Sequence, residues 1–179
     1  MPIPVGLVVE QGRGSLPFAL IHKESLVACA AWALGESGVR MLDSDTDWSY
    51  LQSLGTAVVL HDPLCPMTPV DFIVALAHEA VRDGVVVVGV RPVTDTVKQV
   101  RDGFVGATVD REALSSVCSP LVLPAPVVAA LPGLPDADFA AAVAELASRY
   151  PVRLVEAPAA ARRVSGPEDL ALLEALTAR

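Results

Sequence analysis

Short apolar runs, separated by polar turns and by segments of helical period, set the frame of this chain. Pro4 to Val9 is an apolar run bounded by turn residues, which predicts a buried strand. Thr56 to Leu60 predicts a second strand, running into His61-Asp62-Pro63. Val85 to Val90 is a continuous β-branched run, the pattern of a strand covered on both faces. Val39 to Leu42 and Val152 to Val155 predict shorter strands.

Helices are expected between these runs. Leu26 to Leu34 is alanine-rich and stops near Gly35 and Gly38. Trp48 to Leu54 suits one or two helical turns. Pro69 to Asp83 places Phe72, Ile73, Leu76 and Ala80 on one face, with Thr68 as the expected N-cap and Gly84 as the stop. Asp136 to Ser148 is amphipathic. Pro167 to Leu176 follows Ser165-x-x-Glu168, the spacing of a capping box. From Thr96 to Val109 two extended segments flank Asp102-Gly103, which predicts a hairpin arm. The proline-rich stretch from Pro120 to Pro135 reads as an ordered connection.

Alternating strands and helices define an α/β protein with a mostly parallel sheet and helices on both faces. The 179 residues suffice for one such domain, residues 1–179, with the arm near 96–112. Ligands in such sheets bind beyond the carboxyl ends of the strands. The loops after Val9, Leu60 and Val90 are therefore the first places to look for chemistry.

Composition narrows the function classes. Hydrophobic residues make up 53%, which excludes a disordered chain. No apolar run is long enough to span a bilayer, and Met1-Pro2-Ile3-Pro4 lacks the basic start of a signal peptide. Cys29, Cys65 and Cys118 form no CxxC pair, so neither a disulfide framework nor a zinc site is expected, and the cytoplasm is the default location. With 13 basic against 21 acidic residues, the net charge of −8 argues against a nucleic-acid surface. An acidic chain binds a phosphorylated ligand only where a few cations converge.

Four segments can supply such a place. Gln11-Gly12-Arg13-Gly14 sets Gly12 and Gly14 beside a cation, suited to backbone contact with phosphate; a plain turn also accounts for it. His61-Asp62-Pro63 offers a carboxylate for Mg²⁺ or a sugar hydroxyl, or simply an Asp-Pro turn. Thr96, Lys98 and Arg111 can bind a phosphate together, or belong to a solvated hairpin. Arg162-Arg163-Val164-Ser165 puts cations at a helix start, an anion site or a surface pair. His61 has no evident triad partners.

In order, Val59-Leu60-His61-Asp62, Pro92 to Lys98, Thr108-Val109-Asp110-Arg111 and Val164 to Leu170 resemble the 2-C-methyl-D-erythritol 4-phosphate cytidylyltransferase family of isoprenoid precursor synthesis. The likeness runs from about Thr56 to the C-terminus and is thin before it. It implies a Rossmann-like nucleotidyltransferase fold, CTP and a sugar-alcohol phosphate as substrates, Mg²⁺ as cofactor, and a homodimer formed through the hairpin arm. It places Arg13, Asp62 and Arg163 in the catalytic set, with Asp62 also near the metal. Gly12 and Gly14 fall on the nucleotide, and Thr96, Lys98, Arg111 and Ser165 on the phosphorylated substrate.

Three departures stand out. The family's first loop, Ala-Ala-Gly-x-Gly-x-Arg followed by Pro-Lys, is shortened here, and Phe18 stands where the resemblance expects a catalytic lysine. Cys65 replaces an arginine after the His-Asp pair. The segment that holds the cytosine and ribose has no counterpart between Val39 and Gly55. Two readings follow. Either Arg13, Arg163 and Lys23 take over the missing charge in a working enzyme, or the chain is a non-catalytic binding or regulatory member. Reuse of the fold for an unrelated ligand is a third.

Overall fold

The structure is a computed structural model that describes residues 2–94, 97–110, 112 and 114–178. Its centre is a six-stranded sheet built from β1 (Val5–Val8), β4 (Arg40–Met41), β5 (Val58–His61), β6 (Val86–Pro92), β9 (Ser115–Leu123) and β10 (Val152–Glu156). The strand order is β10-β6-β9-β5-β1-β4. The β1–β4, β1–β5 and β10–β6 pairs are parallel, and β9 runs antiparallel to both β5 and β6.

The pleat sorts the strand residues onto two faces. Val58 and Leu60 of β5, Val86 and Val88 of β6, and Leu121 and Leu123 of β9 share one core. Against them pack α4 (Ala125–Ala130) and α5 (Phe139–Ala147), through Val127, Val128, Phe139, Ala142 and Leu146. Val59, Val87 and Val122 point the other way. They meet Ala33 and Leu34 of α1 (Leu26–Glu36) and Ile73, Leu76 and Ala80 of α3 (Val70–Asp83). α2 (Trp48–Ser53) adds Leu51 to the first core. The result is the expected α/β arrangement, helices on both faces of a mostly parallel sheet.

The arm is a separate two-stranded sheet of β7 (Val97–Arg101) and β8 (Phe104–Val109). Asp102 and Gly103 both take positive φ, 52° and 81°, as the tightest hairpin turn requires. A short hairpin of β2 (Leu20–Ile21) and β3 (Glu24–Ser25) leads into α1, and α6 (Pro167–Leu176) closes the chain.

Three expectations are corrected. The stretch from Pro120 to Pro135 is not simply a connection: its first residues complete β9 (Ser115–Leu123), a central strand, and Ala125–Ala130 form α4. Pro120 and Pro124 disguised the strand, since proline rarely sits in a central strand. Gly89 makes room beside it: a Cβ there would lie 2.9 Å from the Ser119 carbonyl oxygen. Thr68 does not cap α3; the N-cap is Pro69, and the Thr68 hydroxyl donates to the Cys65 carbonyl at 2.8 Å. Ser165 does not cap α6 and forms no capping box with Glu168: the N-cap is Gly166, and the Ser165 N–H and hydroxyl donate to Asp169 instead.

Candidate active site

Both parallel strands β1 and β5 end at the same edge of the sheet, and β9 enters there. After β1 the chain turns sharply, with the Arg13 N–H donating to the Glu10 carbonyl, and Gly12 and Gly14 take positive φ of 74° and 58°. This turn aims Arg13 across at Asp62, the first residue after β5. Arg13 Nε donates to Asp62 Oδ1 at 2.9 Å, and the two side chains are only 4% and 3% exposed. Arg163, a hundred residues on, donates from Nε to Asp62 Oδ2 at 3.1 Å. Asp62 Oδ1 also accepts the Leu64 N–H at 2.9 Å.

Arg13 is held on every side. Nη1 donates to the Gln11 carbonyl at 3.0 Å and Nη2 to the Ala137 carbonyl at 2.5 Å. Its guanidinium carbon lies 5.8 Å from the Phe139 ring centroid, within cation–π range. A cavity of about 410 Å³ opens over the pair, with Gly12, Ser116, Asp138 and Phe139 among its walls. Arg163 is 39% exposed and is the more accessible of the two cations.

Beneath Asp62, Ser119 ties β5 to β9. Its Oγ accepts the Asp62 N–H at 2.9 Å and pairs with His61 Nδ1. His61 is wholly buried, and its Nε2 has no hydrogen-bond partner among the described residues. Burial, opposed by the nearby Asp62 charge, lowers its pKa to about 4, so it stays a neutral ring at neutral pH. That suits a structural histidine, not an acid or base.

The structure therefore brings together Gly12, Arg13, Asp62 and Arg163 from the sequence expectations. Gly14 lies in the same loop. Ser165 is placed otherwise: its N–H and hydroxyl both donate to Asp169, whose carboxyl they hold below its usual range, so its hydroxyl is already engaged. Lys98 is exposed on the arm opposite Thr108, outside the walls of the cavity at Asp62. Thr96 and Arg111 lie outside the described residues. Sequence reasoning missed Ser119, Phe139 and Arg91. Arg91 follows β6's buried stretch, at the third loop singled out, and shares a smaller cavity with Arg162 and Arg163.

Asp62 does not fit a protein ligand for Mg²⁺ in this arrangement. Both its oxygens accept from guanidinium groups, which neutralise the charge a divalent cation needs. Among the described residues no group of three or more His, Cys, Asp or Glu is placed to hold an ion.

The sheet and the cations beyond its strand ends are those of an α/β protein, and comparison with solved structures gives the class, a nucleotidyltransferase-like fold. The crystal structure of 2-C-methyl-D-erythritol 4-phosphate cytidylyltransferase from Thermus thermophilus matches with a TM-score of 0.69 at 25% identity, over 98% of both chains. 4-Diphosphocytidyl-2C-methyl-D-erythritol synthase from Anaerococcus prevotii shares the fold, with a TM-score of 0.70 at 14% identity, over 99% of this chain and 96% of its own. The family model for IspD, 2-C-methyl-D-erythritol 4-phosphate cytidylyltransferase, matches residues 48–179. The Frankia casuarinae cytidylyltransferase is 38% identical over 128 residues, covering 69% of this chain and 47% of the relative. The Geobacillus thermodenitrificans protein is 34% identical over 136 residues, covering 72% and 58%. The chain belongs to the 2-C-methyl-D-erythritol 4-phosphate cytidylyltransferase family. It spans about half the length of the curated relatives it matches.

Proposed function

We propose that this chain transfers a cytidylyl group from CTP to a sugar-alcohol phosphate, releasing pyrophosphate, with the triphosphate side of the site weakened. The observation that carries it is the convergence of Arg13 and Arg163 on Asp62 beside the Gly12 loop. In such a transfer a phosphate oxygen of the acceptor attacks the α-phosphorus of CTP. The protein's part is mainly alignment and offset of charge. Arg163 is the cation able to reach a phosphate, while Arg13 holds Asp62 in position and the Gly12 loop offers backbone N–H groups. Mg²⁺ arriving with the nucleotide would cancel further charge; the role of Asp62 here is to orient the two arginines.

The weakening has two supports. Phe18 is 63% exposed at the place where the family resemblance expects lysine. All three nitrogens of Arg13 already donate to protein oxygens, so it has little left for a triphosphate. The same observations favour a second reading, a non-catalytic member that binds without turnover.

Pyrophosphate release from CTP, tested with methylerythritol phosphate and other sugar-alcohol phosphates in the presence of Mg²⁺, decides between them. Acceptor-dependent release supports the first reading. CTP binding by calorimetry without release supports the second. The absence of both removes each of them. We also propose a homodimer through the arm, on which Val100, Phe104 and Val105 are 66%, 78% and 70% exposed.

A further inference from the structure

We propose that Cys65 and Cys118 form a peroxide-oxidisable thiol pair that closes to a disulfide beneath the arginines of the candidate site. The fold makes them neighbours although 53 positions separate them in the sequence. Leu60 stands opposite Leu121 in the β5–β9 ladder, so the next residues bring Asp62 beside Ser119, and their hydrogen bond fixes the point. The turn after β5 closes with the Cys65 N–H donating to the Asp62 carbonyl at 2.9 Å, which returns Cys65 to the same place. Cys118 directly precedes Ser119, so the two cysteines flank that hydrogen bond, near enough for each thiol to shift the other's ionisation; the Cys118 thiol itself lies 3.7 Å from the Ser116 carbonyl oxygen.

Their surroundings assign them different parts. Cys65 is wholly buried. Cys118 is 3% exposed and lines a cavity of about 230 Å³ together with Arg91, Arg162 and Arg163. A small oxidant in that cavity meets Cys118 first. A reactive cysteine needs thiolate character in an electropositive setting. The neighbouring Cys65 thiol holds Cys118 below the usual thiol range; burial and Asp62 oppose this, while Arg91 and Arg163 reinforce it. The neighbouring Cys118, then burial and the Asp62 charge, push Cys65 up, so it is the protonated member of the pair. Cys29 lies on α1 in a different, mostly apolar cavity, where burial and Glu24 raise it.

Hydrogen peroxide supplies the oxidising power. The Cys118 thiolate attacks one peroxide oxygen and the O–O bond breaks. Hydroxide leaves, takes a proton from solvent and becomes water, and Cys118 is left as a sulfenic acid. The Cys65 sulfur then attacks the Cys118 sulfur, and the S–O bond breaks. The departing hydroxide takes the Cys65 proton as a second water. Two thiols are oxidised to one disulfide as one peroxide is reduced to two waters. The link ties the turn carrying Asp62 to β9 and removes the negative sulfur facing Arg163.

The experiment treats the full chain with hydrogen peroxide, then denatures it in iodoacetamide and maps the peptides by mass. The three free thiols should fall to one, at Cys29, with a Cys65–Cys118 cross-linked peptide and return to three on reduction with dithiothreitol. In Cys65→Ser, dimedone should label Cys118. In Cys118→Ser, Cys65 should stay alkylatable. Three unchanged thiols, a disulfide that includes Cys29, or Cys118 carried to sulfinic acid while Cys65 stays reduced would overturn the proposal. None of these readouts depends on cytidylyl transfer.

Discussion

Arg13 and Asp62 form a 2.9 Å ion pair with almost no contact with water, joining the loop after β1 to the end of β5. Removing Asp62 leaves the buried Arg13 without a counter-charge, whereas removing Arg13 leaves Asp62 still paired with Arg163. Asp62→Leu alone should therefore cost roughly 3 kcal/mol or more of folding stability and Arg13→Met less, whereas the double variant should recover much of the Asp62→Leu loss. Urea unfolding of the four proteins in the cycle measures this. Single variants within about 1 kcal/mol of the parent would mean that the pair contributes little and that the loop is held by other contacts.

Phe18 supplies the most direct test of the proposed weakening of the triphosphate side. It ends a short 3₁₀ turn, Leu16–Phe18, and its ring is mostly in water. Phe18→Lys should leave stability within about 0.5 kcal/mol, because little packing is lost. If a cation there is what the site lacks, pyrophosphate release from CTP should rise about tenfold or more, the equivalent of roughly 1.4 kcal/mol in the barrier. An unchanged rate with unchanged fold would show that the phenyl ring is not what limits the reaction.

Most of the fold was legible because its signals are local. The β-branched run of β6, the apolar run of β5 and the period of α3 each state their own element. β9 was not legible: its apolar half, Leu121 to Leu123, lies between Pro120 and Pro124, and what makes it a strand is pairing with β5 and β6 on both sides. The site shows the same division. Arg13, Asp62 and Arg163 stood in turns at strand ends or before a helix, where sequence reasoning looks. Ser119 and the Cys65–Cys118 contact depend on β9's register, and so were visible only once the strand was placed. Ser165 shows the reverse, a residue well positioned in sequence whose hydroxyl the helix start then occupies.

Gly89 tests that register. A methyl group there meets the Ser119 carbonyl oxygen at 2.9 Å and Phe72 at 3.0 Å, in the irregular part of the β6–β9 ladder. The carbonyl belongs to backbone and cannot swing away. Gly89→Ala should destabilise by about 1–3 kcal/mol by thermal or urea unfolding. A neutral effect would mean that the two strands are spaced more widely than described.

His61 sets the acid limit of the fold. Unfolded, its ring titrates at the ordinary value of 6.5; folded, burial brings it to about 4. The unfolded chain thus takes up a proton that the native state refuses between those values. The stability associated with the neutral ring is complete above pH 6.5 and is lost as the pH falls toward 4, by an amount on the order of 3 kcal/mol. Urea midpoints measured from about pH 7.5 down to about pH 4 should fall across this window. In His61→Asn, a variant of lower stability but no titrating ring, the fall should be smaller by about that amount. Parallel pH profiles for the two proteins would show that His61 carries no proton linkage and that the acid loss lies with other groups.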